Sequence, residues 1–150
     1  RQPGRRLAVF FGDSRAAQWP DPPGLDGFGF ANRGIGSQTS AQVRLRFDAH
    51  VRPLRPDIVI VQAGINALKT ISLFPENRVG IVANCEEQLR QIVAASRDAG
   101  AAVVLTTIFP SSEVPLERRL FWSSDVDAAV REVNAFIASL AAPDVIVFDA

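Results

Sequence analysis

Four unbroken apolar runs, at residues 7–11, 57–61, 102–108 and 144–148, constrain this chain most. Each is continuous rather than alternating, the pattern of a strand covered on both faces, as in a parallel sheet. A weaker fifth run, residues 27–32, lies between the first two. Helical periodicity fills the intervals. Val43, Phe47 and Val51 recur at every fourth position in segment 39–51. Val82, Cys85, Leu89 and Ile92 mark a second stripe in 77–99, and Val126, Val130, Val133, Ile137 and Leu140 a third in 125–141. Asp125 is the expected cap of the last helix and Gly100 the expected stop of the one before it. Strands that alternate with helices in this way imply a doubly wound α/β fold. Right-handed crossovers with helices on both faces give a three-layer, flavodoxin-like sheet of order 2-1-3-4-5.

Composition narrows the function classes. At 150 residues the chain suits one domain, expected over residues 1–150. Sixteen basic residues balance sixteen acidic ones, so no net field favours nucleic acid. The arginines are scattered rather than striped, and Lys69 is the sole lysine. No apolar run approaches the roughly 20 residues of a membrane span. The one Cys cannot form an internal disulfide, and with one His it excludes a Cys/His zinc cluster. The chain contains no Met, which suggests a trimmed N-terminus. It stops just past the last strand, where a covering helix would normally follow, so truncation is expected at both ends.

In open parallel sheets, ligands bind beyond the carboxyl ends of the strands. Three stretches fall there. The first is Gly12-Asp13-Ser14-Arg15, either a plain turn or a natural place for an exposed hydroxyl nucleophile. The second is Asn32-Arg33-Gly34-Ile35-Gly36-Ser37-Gln38-Thr39, whose small residues leave backbone N–H groups free at a helix start. The third is Gln62-Ala63-Gly64-Ile65-Asn66, which adds a side-chain amide. A hydroxyl facing a backbone N–H and an amide suits the stabilisation of a tetrahedral oxyanion.

In these blocks the chain resembles the SGNH hydrolases, the GDSL esterase/lipase superfamily. Gly12-Asp13-Ser14 matches the first block, whose Ser is the nucleophile. The Asn32–Thr39 stretch looks like the second, and Gly64-Ile65-Asn66 the third, whose Asn supplies an oxyanion donor. Arg55-Pro56-Asp57-Ile58-Val59-Ile60 looks like the strand leading into it. The likeness spans residues 7–148. It implies a serine esterase or lipase acting on acyl esters, with Ser14 as nucleophile. The N–H groups of Ser14 and Ser37, or Gly36, would hold the oxyanion together with the Asn66 amide. The implied partner is a small-molecule, glycan or lipid ester, and neither metal nor organic cofactor is implied. A non-catalytic domain that binds an acylated glycan on the same fold is the alternative.

The chain departs from the family pattern in three places. Ser37 stands where a Gly usually precedes the Asp or Gln of the second block. Ala67 follows Asn66 where Asp is frequent. The family's Asp-x-x-His, which supplies acid and base after the last strand, has no counterpart before the chain stops. This fragment is therefore expected to turn over little substrate by itself. His50 cannot replace that base. It lies about eleven residues along a helix that runs away from the site, on the order of 16 Å from its start, whereas a base must come within ~3 Å. Asp13 is expected to tie down its turn, and Asp149 to be structural. Residues 109–122, with Phe109, Phe121 and Trp122, form a long connection that either walls the site or packs down as a lid. Trp19 could act in the same two ways.

Overall fold

The first apolar run pairs on both of its sides. The computed structural model, which describes residues 4–109 and 122–149, sets β1 (Arg6–Gly12) between β2 (Phe28–Gly34) and β3 (Ile58–Gln62). Beyond β3 lie β4 (Ala102–Thr106) and β5 (Val145–Phe148). Every pairing is parallel and the order is 2-1-3-4-5, as the alternation of elements requires. The helices are α1 (Ser14–Gln18), α2 (Ser40–Leu45), α3 (Phe47–His50), α4 (Ile65–Leu68), α5 (Arg78–Asp98) and α6 (Ser124–Ser139). The step from β1 to β2 runs one way along the sheet and every later step runs the other. Right-handed crossovers therefore put α1 on one face and α2, α5 and α6 on the opposite face. There α5 packs between α2 and α6.

Register builds the core from rows of equivalent positions. Val9, Val59, Val103 and Val145 align across four strands, and Phe11, Val61, Leu105 and Val147 form the next row. These rows meet Val43, Phe47, Leu89, Ile92, Val126, Val133 and Ile137 from the helices. The stripes read from the sequence are thus the buried faces of those helices. On the α1 face, Phe10 stacks on Phe30 at 5.8 Å and meets Trp19 edge-on at 5.5 Å. Farther along that face, Ile146 and Phe148 are 62% and 56% exposed.

Local details differ from the sequence expectations. The 39–51 segment is not one helix. It breaks at Arg46 (φ −96°, ψ 4°) into α2 and α3, and the Arg46 side chain bonds to groups at the strand ends. The fourth strand ends at Thr106 rather than residue 108. Thr107 N–H still bonds to Phe148 O, but Ile108 N–H turns to the Asn134 side chain at 2.7 Å. Asn134 also donates to Ile108 O at 2.9 Å, so one α6 amide substitutes for a neighbouring strand. Ser123, not Asp125, caps α6 through Val126 N–H; Asp125 and Asp127 occupy its first turn. Gly100 does end α5 with a left-handed φ of 80°. The 144–148 run forms a strand with alternating exposure rather than one buried on both faces.

Packing is very close where α1 crosses the end of β2. A β-carbon on Gly34 would come within 2.1 Å of Ala17 N and 2.5 Å of Ala17 Cα, both backbone atoms that cannot rotate away. We expect Gly34→Ala to destabilise the fold by about 3 kcal/mol, the upper end of ordinary overpacking costs. Urea unfolding measures this, and a midpoint unchanged from the parent would show that α1 is not held so closely.

Candidate active site

Gly12 pairs with Gly34 on one side and Gln62 on the other, so three strands end in a single row. The three candidate stretches leave the sheet from that row. Gly12 is required there because a β-carbon would fall 1.8 Å from Gln62 O. Asp13 N–H then donates to the same Gln62 carbonyl at 3.1 Å, and the chain turns into α1.

Ser14 is the first residue of α1 and is half-buried. Asp13 caps the helix, its Oδ1 accepting from Arg15 N–H at 3.0 Å. The carboxylate therefore shapes the turn, as expected from the sequence. It is fully buried, and its Oδ2 finds no hydrogen-bond partner among the described residues. Desolvation raises the Asp13 pKa above the usual carboxylate range, outweighing the Arg15 N–H bond and the charges of Arg15 and Lys69. Asn32 secures the far end of α1. Its amide donates to Ala16 O at 2.8 Å while its Oδ1 accepts from Gly34 N–H at 2.8 Å.

The second stretch bends over the first. Ile35 N–H donates to Gly12 O at 3.0 Å. Gly36 lies alongside the nucleophile candidate, since a β-carbon there would sit 3.8 Å from Ser14 Cβ. Ser37 has a left-handed φ of 64°, a conformation that favours glycine. The β-carbon at this unusual position is therefore accommodated, at a strain on the order of 1 kcal/mol. Thr39 then starts α2 with a capping box, in which Thr39 and Gln42 satisfy each other's backbone N–H groups.

The third stretch joins the second through Asn66, whose Nδ2 donates to Gln38 O at 3.0 Å. Ala67 is buried beneath it. Ser14, Gly36, Ser37 and Asn66 thus occupy neighbouring turns at one edge of the sheet.

Arg46 was not among the residues singled out from the sequence, yet it touches two of these stretches directly. Its Nη2 donates to Gly12 O at 2.8 Å, its Nη1 to Arg33 O at 2.6 Å and its Nε to Gln38 Oε1 at 2.6 Å. The guanidinium lies 4.5 Å from the centroid of the Phe11 ring. Partial burial lowers its pKa, though guanidinium remains charged at any ordinary pH. A sequence signal existed: Arg46 falls between Val43 and Phe47, on the inward side of the amphipathic segment.

His50 lies far from this edge. It ends α3, and the chain then passes through a single 3-10 turn, Arg52–Leu54, to enter the amino end of β3. Asp57 N–H bonds to Leu7 O there, at the start of β1. Asp149 is at the ligand edge and accepts from Thr107 Oγ1 at 3.1 Å. Trp19 faces Phe109 at 6.5 Å between ring centroids, and the Arg15 guanidinium sits 4.9 Å above the Phe109 ring. Trp122 packs against the core, donates to Asp127 Oδ1 at 2.7 Å and carries Lys69 Nζ 5.7 Å from its ring. Residues 110–121, including Phe121, lie outside the described residues. Among those described, no group of three or more His, Cys, Asp and Glu could hold a metal ion. No described helix is long and apolar enough to cross a membrane.

A family model for the GDSL-like lipase/acylhydrolase family matches residues 10–150. The chain belongs to that family. Solved structures agree in fold. A GDSL-like lipase from Bacteroides thetaiotaomicron matches with a TM-score of 0.67 at 20% identity, over 96% of this chain and 68% of that one. The lipase/acylhydrolase from Enterococcus faecalis gives 0.67 at 20% identity, over 97% and 75%. A catalytic mutant of an acetylxylan esterase from Geobacillus stearothermophilus gives 0.60 at 17% identity, over 87% and 72%. No curated protein sequence matches the chain. The GDSL-type assignment thus rests on a sequence match over nearly the whole chain, and the three turns described above lie within it.

The burial of Asp13 predicts a pH signature. Its folded-state pKa is raised above the unfolded value, so its contribution to stability is greatest at low pH, where both states are protonated. That contribution is lost as pH rises from the unfolded value toward and through the folded one. Asp13→Asn removes the titration. The stability of Asp13→Asn minus that of the parent should increase across that interval and then level off. Urea unfolding over a pH series measures it, and a constant difference would place an ionised, well-solvated carboxylate at residue 13.

Proposed function

We propose that the protein is a serine hydrolase of carboxylic esters with Ser14 as nucleophile. The observation that carries this reading is the convergence of three turns from one row of the sheet, with Gly36 alongside Ser14 and Asn66 bonded to Gln38. Ser14 Oγ attacks the acyl carbonyl and forms a tetrahedral intermediate. Backbone N–H groups of Ser14 and of Ser37 or Gly36 face the developing oxyanion. The Asn66 amide has two N–H groups; one is held by Gln38 O, which orients the other for the same oxygen. Collapse expels the alcohol and leaves an acyl group on Ser14, which water then removes. Family membership and the Geobacillus esterase, whose solved form is a catalytic mutant with Ser replaced by Ala, support this assignment.

His50, the sole histidine of these 150 residues, is at the opposite edge and is not the general base in this reading. Asp13 is already committed to capping α1, so it serves as a positioning carboxylate. Trp19 and Phe109 offer an apolar wall beside the Ser14 turn for the acyl or glycan part of the substrate.

The test uses the full-length protein. A fluorophosphonate should label Ser14, and Ser14→Ala should abolish both labelling and hydrolysis of p-nitrophenyl acetate. Asn66→Ala should lower kcat by about 10²–10³-fold, the cost of one oxyanion donor. Hydrolysis that survives Ser14→Ala would exclude this nucleophile. A folded parent that neither labels nor hydrolyses, yet binds an acylated glycan, would instead make this a binding domain.

A further inference from the structure

We propose that Arg46 is a positioning residue for the oxyanion site, holding the Ser14 turn and the Gly36–Gln38 turn in fixed relation through one guanidinium. The inference rests on the ester-hydrolase reading above. It concerns how the site is held rather than which groups react.

Hydrogen-bond geometry carries the argument. The second stretch must sit at a defined height above the first if its backbone N–H groups are to face a substrate oxygen. One backbone bond, Ile35 N–H to Gly12 O, sets that height just before Gly36 and Ser37. Arg46 supplies three more links around the same loop. Nη2 reaches the same Gly12 carbonyl from the helix side, so that oxygen accepts from both directions. Nη1 reaches Arg33 O, before the loop, and Nε reaches the Gln38 side chain, just after it. The loop carrying Gly36 and Ser37 is thus bound on both its flanks by one planar, rigid group.

The chain of contact continues to the third stretch. Gln38 receives Arg46 on its side chain and Asn66 on its backbone carbonyl. A shift of Gln38 would therefore move the Asn66 amide and the preceding N–H groups together. All three acceptors of Arg46 are neutral, two carbonyls and an amide, and Phe11 covers the guanidinium face. An exposed arginine would not give up hydration for such partners without geometric complementarity. The three acceptors are met by three different nitrogens of one planar fork, whereas a lysine ammonium would have to reach all three from a single nitrogen. The helix break at Arg46 belongs to the same device, since ending α2 there frees the side chain to point back at the strand ends.

The experiment uses the full-length protein with p-nitrophenyl acetate as substrate and a fluorophosphonate as probe of Ser14. Arg46→Met keeps the apolar stem over Phe11 and removes the fork. We expect kcat to fall about 10–100-fold, the effect of a displacement on the order of 1 Å. KM should stay near the parent value, and Ser14 labelling should slow in parallel. Arg46→Lys should recover only part of the loss, and added methylguanidinium should restore rate to Arg46→Ala. A folded Arg46→Met enzyme with parental kcat and labelling rate would overturn the proposal. So would a loss in kcat that disappears when the variant is assayed well below its melting temperature, which would make Arg46 a stability residue. Should Arg46→Met not fold, Gln38→Ala carries the test, since it removes only the Nε partner. Lowered kcat with unchanged KM supports the proposal, and parental kcat overturns it. Ser14→Ala, run alongside, separates the two readings. If it remains active, the nucleophile assignment fails; if it is inactive while the Arg46 variants match the parent, only the positioning role fails.

Discussion

The row formed by Gly34, Gly12 and Gln62 is the constraint on which the rest of the molecule depends. Parallel pairing brings three strand ends level with one another, and each then releases a turn into the same volume. Neither glycine of the row has room for a β-carbon. Gln62 O occupies the place of a β-carbon on Gly12, and the α1 backbone occupies that place on Gly34. That closeness lets Asp13 N–H and Ile35 N–H bond directly to strand-end carbonyls. A wider spacing would leave the candidate nucleophile and the candidate oxyanion donors on separate loops.

Around that row the protein uses polar side chains for position rather than for bulk stability. Asp13 caps a five-residue helix that could not persist alone in water. Asn32 seals the other end of the same helix against β2, and Asn134 replaces a strand neighbour for Ile108. Asn32 and Asn134 each satisfy two backbone groups with one side chain, and Asp13 starts its helix at a required residue. The apolar core on the opposite face supplies the rigid base, with Phe11, Val61 and Leu105 aligned under the ligand edge.

Much of the architecture was readable from the linear chain. The continuous runs at 7–11, 57–61 and 102–108 became adjacent parallel strands because a strand covered on both faces has no reason to alternate. The stripe Val82, Cys85, Leu89 and Ile92 became the buried face of α5 because helical spacing leaves it no other orientation. The boundaries were less legible. Ile108 is apolar and buried, yet its N–H is claimed by a side chain 26 residues away. Asp125 and Ser123 are both good caps by residue type. The fold decides in favour of Ser123, whose backbone is extended (φ −129°, ψ 163°) and whose side chain accepts from Val126 N–H.

The site divides in the same way. Turn chemistry is local, so Gly12-Asp13-Ser14, the Asn32–Thr39 stretch and Gly64-Ile65-Asn66 announced themselves as strand-to-helix turns, and their order along the chain supported one shared edge. His50 could be set aside by counting helical rise. The sequence by itself therefore determined the strand order, the helix faces and the three turns that meet. Tertiary structure alone decided how those turns are held. Periodicity places Arg46 on the inward side of its segment, but its partners Gly12, Arg33 and Gln38 are fixed only by folding. The left-handed backbone at Ser37 is likewise invisible in a residue whose own preference is otherwise. The physical reason is common to both. Propensity and periodicity act over a few neighbouring residues, whereas a hydrogen bond between residues 12 and 46 exists only after the strands have paired.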